Sequence, residues 1–102
     1  MKGLGMEIDW RTVQLFVGSE GVSEVSIDSE DNLKARCTCQ VFAKRKNCKH
    51  TKWVKDRIKQ NDGNFAIQIS DTVPDEEAYE ALGDADTFRK FILKYATVEY
   101  ID

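Results

Sequence analysis

"ARCTCQVFAKRKNCKHTKWV", residues 35–54, contains all three cysteines of the chain and its one histidine. Cys37 and Cys39 are two positions apart, Cys48 and His50 are two apart, and eight residues separate the pairs. The run "LKARCTC" from Leu33 alternates apolar and polar residues, so the first pair falls on a strand, where residues i and i+2 point to the same side. From about Cys48 to Gln60 the period becomes that of a helix. His50, Trp53, Val54, Arg57 and Ile58 share one face, and Lys49, Lys52, Lys55 and Lys59 share the opposite one. The second pair therefore sits at a helix N-terminus, whose dipole favours a thiolate at Cys48.

Three thiolates and one imidazole form a closed tetrahedral set with no vacant position, which marks a structural site and favours zinc. The chemistry expected of Cys37, Cys39, Cys48 and His50 is thus the holding of one structural Zn2+. A redox pair is the alternative. An iron–sulfur cluster would ordinarily want four cysteines. A nucleophilic Cys–His pair lacks a recognisable oxyanion loop or third orienting group.

Outward from this stretch, residues 11–17 and 22–28 alternate and are joined near Gly18 and Gly21, and "EDN" at 30–32 is a turn signal. Three short antiparallel strands are expected, then a polar, basic loop over 40–47. Gly63 ends the basic helix. "NFAIQIS" at 64–70 predicts a fourth strand, and "PDEEAYEAL" a short helix with Pro74 in its first turn. A last helix from about Asp86 to Ala96 carries Phe88, Phe91, Ile92 and Tyr95 on one core stripe, and "TVEYI" suits a closing strand. The fold class is α+β: a small antiparallel meander leading into a zinc-anchored helix, followed by a strand and two C-terminal helices.

A net charge of −3 conceals a separation. Residues 34–59 hold ten Lys or Arg and one acid, a net of +9, whereas residues 60–88 hold eight acids and no Lys or Arg. No run approaches the ~18 apolar residues of a membrane span, and "MKGLGMEIDW" lacks the apolar segment of a secretory signal. A cytoplasmic protein is expected (nucleoid or nucleus included), with no membrane and no small-molecule substrate.

Cys-x-Cys, a spacer and Cys-x-His, framed by "VSEVSIDSEDNLKARCTC" and "NCKHTKWV", resembles the SWIM-type zinc finger. The resemblance implies a ββα-like zinc module over residues 23–58 with Cys37, Cys39, Cys48 and His50 as ligands. Many family members carry a glycine just before Cys-x-His, where this chain has Arg45, Lys46 and Asn47, which makes the loop more cationic. One domain over 1–102 is expected, with residues 64–102 packed on the module. SWIM modules occur in helicase-like ATPases, transposases, and recombination-associated and signalling proteins, and are held to bind DNA or other proteins.

Two functions follow. The first is a non-catalytic module that binds DNA or RNA through Lys44, Arg45, Lys46, Lys49, Lys52, Lys55 and Lys59, by contact with phosphates. The second is a protein-interaction adaptor, or an inhibitor of a larger nucleic-acid-processing or transcription enzyme, with Trp10 as a candidate exposed anchor. Trp53 is expected in the core over the metal site. The chain shows neither a phosphate-binding loop nor a spaced carboxylate pair, so an enzyme is not expected.

Overall fold

The computed structural model describes residues 8–19 and 21–101 of the 102. Three strands, β1 (Trp10–Gly18), β2 (Gly21–Asp28) and β3 (Asp31–Cys37), form the antiparallel meander. Among the described residues four helices follow: α1 (Gln40–Arg45), α2 (Lys49–Gln60), α3 (Asp75–Ala81) and α4 (Ala85–Tyr95). The last element, β4 (Val98–Tyr100), pairs in parallel with β1, so the sheet order is β3-β2-β1-β4 and the sheet is mixed.

β1 is interior to the sheet and covered on both faces, which explains why Thr12 to Phe16 are all buried. The register slips between Thr12 and Gln14, so Val13 is the extra residue of a β-bulge. That insertion lets Val13 and Phe16, an odd and an even position, share one core with Val25, Ile27, Val54 and Ile58 beneath α2. Leu15 faces the other way, into a second core with Ala81, Phe91 and Ile92 of α3 and α4. The expected Phe88–Tyr95 stripe is this second core, in which Phe91 and Ile92 are buried and Phe88 and Tyr95 pack at its margin.

Two expectations fail locally. Residues 40–47 are not all loop, because 40–45 form α1. Its carbonyl ladder starts at Cys39, which accepts from the Ala43 N–H at 3.2 Å, and Lys46 closes it with a left-handed φ of 59°. The 64–70 segment is not a strand: only Ile69 pairs, in a single bridge to Ala96. Phe65 and Ile67 do pack inward, and Ile67 touches both cores. The alternating pattern thus records packing around the sheet edge without a ladder. No helix among the described residues is long and apolar enough to cross a membrane.

Candidate metal centre

Each ligand is delivered by an element end. Cys37 is the last residue of β3, Cys39 precedes α1, Cys48 is the N-cap of α2 and His50 lies in the first turn of α2. All four are buried, and none of the cysteines is in a disulfide.

The donor atoms of the four residues lie within 4.8 Å of one another. Metal–sulfur bonds of ~2.3 Å and metal–nitrogen bonds of ~2.0–2.1 Å put the edges of a tetrahedron at about 3.5–3.8 Å. His50 Nδ1 is 3.5 Å from Cys37 Sγ and 3.8 Å from Cys48 Sγ, so these edges already have the right length. The residues fit one structural zinc ion, with Nδ1 as the ring nitrogen turned to the thiols.

The surroundings tune the thiols differently. Burial pushes the Cys37 thiol far up, with the nearby Cys48 and Cys39 adding to the rise. Burial also opposes ionisation of Cys48, but backbone and side-chain hydrogen bonds from Thr51 outweigh it and hold that thiol below its ordinary value. Three thiolates packed together would repel one another. A divalent cation removes that conflict.

Thr51 is a residue that spacing arguments overlooked. Its backbone N–H donates to Cys48 Sγ at 3.5 Å, and its hydroxyl accepts from the Cys48 N–H at 3.3 Å and donates to the Cys48 carbonyl at 3.0 Å. This is a capping box with a cysteine in place of Ser or Thr. The signal was present as Cys-x-x-Thr at a helix start. Phe16 is the second such residue: its ring lies 4.9 Å from the His50 ring and meets Trp53 edge-on at 5.3 Å. The aromatic over the ligand histidine is therefore Phe16 from β1, while Trp53 packs one step further along α2, half-buried, under the Arg57 guanidinium at 4.3 Å.

Among the cations singled out from sequence, Lys44, Arg45, Lys46, Lys49, Lys52 and Lys59 are exposed, and Lys55 is half-buried. Lys52 pairs with Asp56 at 3.1 Å on its own helix. Trp10 is half-buried, with Arg36 stacked 4.8 Å over its ring. On the opposite face of the sheet, Glu77 binds Lys94 and Asp86 binds Lys90, each at 3.2 Å, so these acids pair with cations of α4.

Comparison with curated proteins and with solved structures finds no match. A family model does match: residues 24–59, which span most of β2, β3, both ligand pairs, α1 and nearly all of α2, are similar to the SWIM zinc finger.

Proposed function

We propose that the protein is a non-catalytic nucleic-acid-binding module, stiffened by its zinc and working through the cations of α1, the turn after it, and α2. The observation that carries this reading is the separation of charge across the sheet. α2 lies over the Val25–Ile27 face, and the acids of α3 and the start of α4 lie over the Leu15 face. An approaching phosphate backbone would meet Lys44, Arg45, Lys46 and Lys49 with the sheet between it and those carboxylates. Distance and screening weaken their repulsion over a Debye length of ~8–10 Å.

The test is a gel shift of the zinc-loaded chain with generic duplex and single-stranded DNA at rising salt. Affinity should fall linearly in log–log form, with a slope of about 0.9 per duplex phosphate neutralised. Replacement of Lys44, Arg45 and Lys46 by Glu should abolish the shift and leave the metal bound. Absence of any shift at ~50 mM salt, where nonspecific contacts are strongest, sinks the reading.

A second reading, a protein-interaction adaptor, is favoured by α3. Tyr79 is 80% exposed and Leu82, its C-cap, 62% exposed beside an acidic helix start. Partners captured on the full chain should survive nuclease treatment under that reading and be lost under the first.

A further inference from the structure

A cleft of about 200 Å³ opens where α2 meets the segment that leaves it, lined by Gln14, Trp53, Arg57, Gln60, Phe65 and Gln68 among others. Of these residues, Trp53 and Arg57 fall within the zinc-finger match; Gln14, Gln60, Phe65 and Gln68 lie outside it. The volume is below the ~300–1,000 Å³ usual for a whole cofactor or drug-sized ligand, and suits a single planar ring system.

The chemistry of the lining is specific. Trp53 and Phe65 stand 6.4 Å apart and tilted, and the Arg57 guanidinium lies over Trp53, so one wall is a π surface capped by a planar cation. The rest is amide. Gln14 is only 3% exposed, and its Nε2 donates to the carbonyls of Leu15 at 3.0 Å and Thr97 at 2.8 Å. Those two bonds fix the amide's orientation and leave Oε1 as its acceptor. A buried, oriented acceptor and exposed glutamines beside an aromatic–arginine wall are what an unstacked base needs: a face to stack on and groups to bond its edge.

The cleft also adjoins the cationic stripe. Lys59 directly precedes Gln60 in the last turn of α2, so the Lys52–Lys59 stripe reaches the rim of the cleft there; at 3.6 residues per turn Asp56, about 40° short of Gln60, stands between stripe and cleft and is paired with Lys52. We propose that this cleft takes one unstacked base of a single-stranded nucleic acid whose phosphates follow that lysine stripe. The inference rests on the nucleic-acid reading above and narrows it, since bases inside a duplex are stacked and cannot enter.

The test uses the zinc-loaded full chain, fluorescence polarisation at ~50 mM salt, and three probes of equal length: a single strand, a duplex, and an abasic strand that keeps the phosphates. Phe65→Leu removes a ring at constant charge, and Arg57→Lys keeps the charge but removes the guanidinium plane. Zinc content and circular dichroism report whether each variant folds, and Arg57, being exposed, serves if Phe65→Leu does not. The wild type should prefer the single strand over the abasic strand by about 5- to 150-fold, the range for one base–aromatic stack. Either variant should lose most of that preference and leave duplex affinity unchanged. Equal binding of natural and abasic strands overturns the base pocket while phosphate binding stands. Failure of all three probes to bind overturns both.

Discussion

Withdrawal of zinc should unhinge the two halves of this fold unequally. The ion joins the end of β3 to the start of α2, and Cys37, Cys39 and Cys48 are members of the core under α2. Without it, that core holds three thiols and an imidazole that is 2% exposed, with burial keeping the Cys37 thiol protonated. The second core, Leu15 with Ala81, Phe91 and Ile92, contains no ligand. Binding to the folded state alone stabilises by about 2.7 kcal/mol at 100 times the dissociation constant and about 4.1 kcal/mol at 1,000 times. A domain of this size shifts its Tm by about 4–8 °C per kcal/mol, so each tenfold step in buffered free zinc should raise Tm by about 6–11 °C. The assay is thermal unfolding by circular dichroism in a zinc-buffer series, with Trp53 fluorescence followed separately in a Trp10→Phe background. In excess chelator, α2 should lose helicity and the Trp53 signal before the Phe91–Tyr95 packing melts. A Tm indifferent to free zinc across the range in which metal is bound would refute the assignment of the ion as the pin of this core.

Thr51→Val keeps the N–H to Cys48 Sγ but leaves the Cys48 N–H without its hydroxyl partner, which should cost about 1–2 kcal/mol in denaturant unfolding with one zinc retained; Thr51→Ser should restore most of it. Glu24 links β2 to α4 through Arg89 at 2.8 and 3.1 Å and accepts from Thr12 at 2.6 Å. Burial works against its charge, yet these bonds outweigh it and hold its carboxyl below the ordinary value. Its contribution is therefore present above the unfolded carboxylate range and lost as pH falls through the lowered folded value. Glu24→Gln should cost about 1–2 kcal/mol at neutral pH, discounted for the half-exposed Arg89, and the gap to wild type should close in acid. Ile92→Ala, fully buried in the zinc-free core, should lose about 2–5 kcal/mol in chemical unfolding without changing zinc stoichiometry. Loss of metal from that variant would mean the two cores are not separable in this way.

The metal site was legible because all its donors fall within one short stretch, and strand and helix periods place them without reference to distant residues. The α+β order was legible for the same reason, since the meander and the two amphipathic helices declare their faces locally. α1 was not. Its six residues are too few for a periodic signal, and a helix so short is held by Cys39 and the packing of Phe42, not by propensity. The 64–70 segment misled because inward alternation of Phe65 and Ile67 looks the same whether or not a neighbour supplies a ladder. The bulge at Val13 and the parallel seat of β4 on Leu15–Val17 depend on partners far along the chain, and so does the cleft that joins Gln14 to Phe65. Trp53 was displaced from its expected place by Phe16, a residue separated from His50 by most of the sheet.

Could the cations serve the zinc site alone? Zinc with three thiolates and a neutral imidazole carries a net −1, which nearby positive charge would stabilise. Residues 34–59 carry +9, so the centre accounts for a small part of it and leaves +8. Asp56 is already counted in that total, and Arg36 and Arg57 are engaged on aromatic rings without losing their charge. Charge gathered so densely repels itself and lowers stability unless a polyanion relieves it. Replacing Lys44, Lys46 and Lys59 by Gln should therefore leave zinc bound and Tm equal or higher, while nucleic-acid affinity falls and its salt slope becomes shallower. A Tm that drops by several degrees with the metal still in place would assign these lysines to the fold and remove the main physical reason for placing phosphates on this face.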